Sequence, residues 1–171
     1  MYGSAYIEGS SFTGELSGAI AAGGLVATEI GSSKLTITNS FSKGLHNLDP
    51  KSAYAPHVGG LIGYASGTTT IEKSHSEFAI KKGGRSGGLI GYAVGKVNVT
   101  ECYNTAPLKG EVVGGLIAQV EEYVHLFNSY NIGALDGSRI TGGILGHSAG
   151  EAAIVNSFNM GENSEGNKLG C

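Results

Sequence analysis

Gly146-His147-Ser148-Ala149-Gly150 has the G-x-S-x-G form of a nucleophile elbow, in which a sharp strand-to-helix turn exposes and activates the central serine. The same glycine spacing recurs at Gly63-Tyr64-Ala65-Ser66-Gly67 and Gly91-Tyr92-Ala93-Val94-Gly95, where alanine stands in place of the serine. No helical pattern follows Ser148 to complete an elbow, so these glycines are assigned to turns. Carboxylate chemistry finds little support either. The chain has two aspartates, Asp49 and Asp136, in different surroundings, and its glutamates are scattered except for Glu121-Glu122, which a strand would point to opposite faces. A glycosidase pair would have to come from glutamates stacked by the fold, and the simpler reading is a solvated acidic surface. The five histidines, His46, His57, His75, His125 and His147, show no H-E-x-x-H or i,i+4 pairing. No catalytic residue, metal site or cofactor is assigned, and the chain is expected not to be an enzyme.

Binding is the remaining chemistry. Tyr64 and Tyr92 occupy equivalent places in adjacent units, and Thr28, Gln119 and His147 continue the series as a polar column. Exposed rings in a row suit sugars or peptides because they contribute large contact area at little ordering cost, and equally they stabilise a sheet by stacking on one another. Tyr64, Tyr92 and His147 are therefore the candidate ligand-binding residues. Thr36, Thr38 and Thr68-Thr69-Thr70 suggest an ice-binding lattice, but the corresponding positions elsewhere hold Asn98, His125 and Ala153, which breaks its regularity. Asn98-Val99-Thr100 is a glycosylation sequon, relevant only in a eukaryotic host. Cys102 reads as a buried thiol, and Cys171 as reactive if its terminus is exposed.

These residues are positioned by a repeat. Glycine makes up 30 of the 171 residues, far above ordinary usage, whereas three prolines exclude a collagenous chain. With 40% hydrophobic and 15% charged residues, the whole of 1–171 is expected to fold as a single domain. A net charge of -3 without a basic cluster argues against nucleic acid. No apolar run is long enough to span a membrane, and no signal peptide stands at residues 1–20.

A Gly-Gly pair followed by two large apolar residues occurs at 23–26, 59–62, 87–90, 114–117 and 142–145, with spacings of 36, 28, 27 and 28. Fourteen residues after the second glycine comes a small residue (Ser74, Cys102, Ser129, Ser157, and Ser40 if the first unit carries a two-residue insertion near 31–34), then a ring: Phe41, His75, Tyr103, Tyr130, Phe158. Alternating apolar residues before the small one, such as Val97 and Val99, predict a short strand. Ser11-Phe12 with Leu16 and Gly18 looks like the tail of a preceding unit. Short strands punctuated by glycine, with no apolar stripe of helical period, predict an all-β β-solenoid (parallel β-helix) of about five to six coils with a repeat of about 28 residues. In such stacking Asn39, Asn128 and Asn156 are expected to form a side-chain amide ladder at a turn, with Lys73 and Glu101, at the same place in other units, facing solvent. Gly24, Gly60, Gly88, Gly115 and Gly143 are expected to need a left-handed backbone or a contact too close for a Cβ. The extra residues of the first unit, 48–52, predict a loop bulging from one corner.

Gly-Gly-Leu-Ile-Gly-Tyr at 59–64 and 87–92, followed by a short strand and a small-residue/ring pair, resembles the GLUG repeat of bacterial surface and secreted proteins, over nearly the whole chain. Ala27 and Ala118 depart from it at the third glycine, and Thr28 and Gln119 at the tyrosine, which suggests a different bend in those two coils. The resemblance implies an extracellular or cell-surface module for adhesion, presentation or assembly, of stalk or filament type. The alternative is an accessory domain of a secreted peptidase or polysaccharide-active enzyme whose catalytic residues lie elsewhere. Expected partners are neighbouring coils or domains at both ends, including head-to-tail copies of the same chain, and a host protein or glycan.

Overall fold

The computed structural model describes residues 3–17, 20–31, 34–47 and 56–164. Gly18, the insertion at Ser32-Ser33, the corner loop at 48–52 with Asp49, and Cys171 fall outside these residues. The described chain is all β without a helix, and every strand pairing in it is parallel between one coil and the next. It is a β-solenoid of five coils and the start of a sixth. One sheet stacks Ser4–Glu8, Lys34–Thr38, Thr68–Glu72, Lys96–Thr100, Tyr123–Phe127 and Glu151–Val155. A second includes Phe41–His46, His57–Gly59, His75–Ile80, Arg85–Gly87, Leu108–Gly114 and Leu135–Gly142. The third stacks Val26–Glu29, Ile62–Ala65, Ile90–Ala93, Ile117–Val120 and Leu145–Ser148. The strands that carry Ala27 and Ala118 pair with their neighbours in the same register as the other coils.

Two apolar clusters fill the interior. One combines the alternating residues of the first sheet (Leu35, Ile37, Ile71, Val97, Val99, Val124, Leu126) with Leu61, Ile62, Leu89, Ile90, Leu116 and Ile117. The other joins Ala22, Val58, Phe78, Ile80, Leu108, Val113 and Leu135. The chain passes from one cluster to the other at two places in each coil. On one pass this is the Gly-Gly pair, between Val58 and Leu61 for example; on the other it is a buried polar residue, as Ser76 between Ile71 and Phe78. These two crossing points touch. A Cβ added to Gly24, Gly60, Gly88, Gly115 or Gly143 would lie 2.5–2.7 Å from the Cβ of Ser42, Ser76, Asn104, Asn131 or Asn159 respectively. None of the five glycines has a positive φ, so close contact rather than left-handed backbone excludes a side chain there. Each coil is therefore pinched at a waist.

Ladders of polar groups tie the coils together along the axis. Asn104 Nδ2 donates to Asn131 Oδ1 and Asn131 Nδ2 to Asn159 Oδ1, both at 2.7 Å, while each amide also donates to the carbonyl two residues on. This corrects the expectation for Asn39, Asn128 and Asn156. Those three are exposed and hold φ of 48°, 50° and 49°, a column shared with Lys73 at 47° and Glu101 at 54°. Asparagine tolerates the left-handed region better than most residues, so it is chosen there for its backbone. Lys73 and Glu101 do face solvent.

The small-residue column is a second ladder. The backbone N–H of Ser40 donates to Ser74 Oγ, that of Cys102 to Ser129 Oγ and that of Ser129 to Ser157 Oγ, each at 3.1 Å, and each hydroxyl donates to the carbonyl two residues back. Cys102 fits because its Sγ reaches Thr100 O at 3.1 Å. Burial pushes its thiol up to about 12, which makes it an inert packing group. On the outer face the next column stacks Phe41, His75, Tyr103, Tyr130 and Phe158 with centroids 4.6–5.3 Å apart and planes within 7°.

Gly88→Val should lower stability by at least about 2 kcal/mol in chemical denaturation, because the new side chain collides with Asn104 and the Gly115 carbonyl. The two asparagine columns should respond oppositely. Asn131→Ala should cost about 1–3 kcal/mol by leaving buried ladder partners unpaired, whereas Asn128→Gly should stay within about 0.5 kcal/mol of the wild type. Equal losses in both variants would contradict the assignment of the ladder.

Candidate ligand-binding groove

Because the Gly-Gly corner collapses inward, the outer surface beside it is concave. The residues two before the first glycine (Ala21, His57, Arg85, Val112, Ile140) form one wall and those four after the second (Thr28, Tyr64, Tyr92, Gln119, His147) the other. The walls come close because glycines line their contact: a Cβ on Gly91 would lie 2.6 Å from Val58 N, and one on Gly63 2.7 Å from Ala22 N. The groove therefore runs along the solenoid axis, across the strands. Its walls offer one side chain per coil, at ~4.8 Å intervals.

The sequence-derived candidates share one wall but not one cluster. Tyr64 and Tyr92 are half-buried and meet edge to face with centroids 5.6 Å apart. His147, two coils beyond Tyr92 in the same column, is exposed. The opposite wall supplies residues that sequence reasoning missed. His57 sits 4.9 Å from the Tyr92 ring and 6.1 Å from that of Tyr64. The Arg85 guanidinium lies 4.5 Å above Tyr92, donates from Nε to Gln119 Oε1 at 2.6 Å and reaches His57 Nδ1 at 3.5 Å. Gln119 in turn donates from Nε2 to Glu121 Oε1 at 2.6 Å. Burial, then the hydrogen bond to Glu121, raises the Tyr92 phenol above its ordinary range. Beyond Arg85 the groove widens into a cleft of about 250 Å³ bounded by Glu111, Val112, Gln119, Arg139, Ile140 and His147. A β-bulge shapes its rim: between the pairs Gly110–Gly137 and Val112–Ile140, Glu111 alone stands against Ser138 and Arg139.

Ser148 does not build an elbow. Its strand runs into the turn at Ala149-Gly150, and its hydroxyl donates to the Gly150 carbonyl at 3.0 Å. His75 stacks between Phe41 and Tyr103 in the outer ring column, away from the groove walls. Among the described residues, no three of His, Cys, Asp and Glu come together as a metal site would require.

Burial, and secondarily the Arg85 guanidinium, push the His57 imidazole from its ordinary 6.5 down to about 4. The folded state therefore disfavours the charged ring. The unfolded chain takes up this proton first as pH falls, so stability complete above pH 6.5 is lost progressively between 6.5 and about 4. His46 and His75 are lowered in the same sense, chiefly by burial, so His57→Asn should remove part of the acid sensitivity. Melting temperatures from pH 7 to pH 4 check this, and an unchanged slope in the variant would contradict a desolvated His57.

Comparisons with family models, with curated proteins and with solved structures find no match to this chain.

Proposed function

We propose that the chain is a non-enzymatic, extracellular solenoid module that makes contact with a host glycan or protein through the axial groove. The observation that supports this most directly is the set of contacts that the groove residues make with one another. Tyr64, Tyr92, His57 and Arg85 already hold one another, and the parallel sheets beneath them fix their spacing. Side chains immobilised before binding lose little freedom on contact, which is how a small surface reaches useful affinity. The extracellular setting rests on the likeness of the Gly-Gly-Leu-Ile-Gly-Tyr units to GLUG repeats, and adhesion or presentation follows from that setting joined to an elongated scaffold with one continuous lined face.

The test is binding of the folded chain to an array of extracellular glycans and matrix proteins, beside the double variant Tyr64→Ala/Tyr92→Ala. Retention of one ligand class by the wild type, and its loss in a variant that keeps its β-sheet circular dichroism, is the expected result. Equal retention by both would remove the groove from the account. Labelling of Ser148 by a fluorophosphonate, abolished in Ser148→Ala, would replace a contact module with a hydrolase.

A further inference from the structure

Arg85 is half-buried, and among the described residues no carboxylate lies within ion-pair distance of it. Its contacts are a tyrosine face, a side-chain amide oxygen and an imidazole, all neutral when His57 is deprotonated. They fix the guanidinium in place without neutralising it. The nearest carboxylate of this network, Glu121, is one residue removed, accepting from Gln119 and from the Tyr92 phenol, and Glu111 faces Arg139 at 3.9 Å between exposed side chains. A charge withdrawn from water normally has a counter-charge, and a guanidinium offers a planar fork suited to a carboxylate. Arg85 also lines the cleft of about 250 Å³, together with Glu111, Gln119, Arg139 and His147.

The direction of the groove narrows the ligand further. An extended peptide usually docks by adding a strand to a free sheet edge, through main-chain hydrogen bonds. Here the groove crosses the strands, whose backbone groups are already paired from coil to coil, so the walls present side chains alone. Two tyrosine rings, an imidazole, an amide and a guanidinium, set in successive coils at ~4.8 Å intervals, suit a chain of saccharide units, whose faces stack on rings and whose polar groups project at each unit.

Taking the groove as the contact surface, we infer that its ligand is a carboxylate-bearing saccharide, with Arg85 binding the carboxylate and Tyr64 with Tyr92 carrying the adjoining sugar.

The experiment is isothermal titration of the chain with oligogalacturonate and hyaluronan oligosaccharides, with methyl-esterified oligogalacturonate, and with oligoglutamate. At least one acidic saccharide should bind. Its affinity should fall about tenfold or more in Arg85→Gln, as expected for loss of a charge-assisted pair. It should fall less in Arg139→Gln and recover in part in Arg85→Lys, all in variants with unchanged melting temperature. If oligogalacturonate is the binder, esterification should weaken it comparably. No binding of either acidic saccharide at millimolar concentration overturns the inference, and so does oligoglutamate binding equally well through Arg85. If the ester binds as well as the acid, independently of Arg85 but dependent on Tyr64 and Tyr92, the carboxylate inference fails while the groove stands. Indifference of every probe to Tyr64, Tyr92 and Arg85 removes both.

Discussion

The structure turns on one contact, that of the second glycine in each Gly-Gly pair with the buried serine or asparagine facing it. A side chain at Gly88 has no room because Asn104 is already there, and the same holds for Gly115 with Asn131. The contact brings two passes of one coil together and divides the apolar interior in two. Placing polar residues there would be costly if they were isolated. The amide ladder satisfies them, each amide bonding to its own loop and to the amide of the next coil. Glycine and asparagine are thus two halves of one requirement: close approach demands the first, and burial of the loop's backbone groups demands the second.

The groove is the outer consequence of the same contact. Drawing the corner inward leaves a concave surface whose floor is glycine, and side chains on the two walls then meet across it. Arg85 can stack on Tyr92 and reach Gln119 only because the walls are held close by the Gly91–Val58 backbone approach. Rigidity comes from stacking: the outer rings from Phe41 to Phe158, the serine ladder around Cys102 and the apolar columns all add one element per coil in the same register. A variable set of groove residues is carried on a scaffold whose inner columns are nearly invariant in type.

That division explains what the sequence made legible. The coil length, the strand carrying Val97 and Val99, the small column and the ring column each repeat a residue type, because each column must pack against itself. The two asparagine columns look alike by frequency, and their exceptions distinguish them. Lys73 and Glu101 replace asparagine where the side chain is exposed and only the backbone is constrained, whereas Ser42 and Ser76 replace it where the side chain is buried and must hydrogen-bond. Tyr64, Tyr92 and His147 were visible as one column. Their partners were not, since Ala21, His57, Arg85, Val112 and Ile140 share no property a repeat would reveal. The concavity that joins the two walls depends on backbone approach, which no single column records.

Hydrogen exchange of the asparagine side-chain amides, followed by NMR, tests the waist most directly. Asn104 and Asn131, buried and bonded on both sides, should exchange far more slowly than Asn39, Asn128 and Asn156, whose amides face solvent. Slow exchange at Asn128 and Asn156 with solvent-like exchange at Asn104 and Asn131 would contradict the account, because the amide ladder would then lie at the outer corners and nothing polar would oppose the glycines.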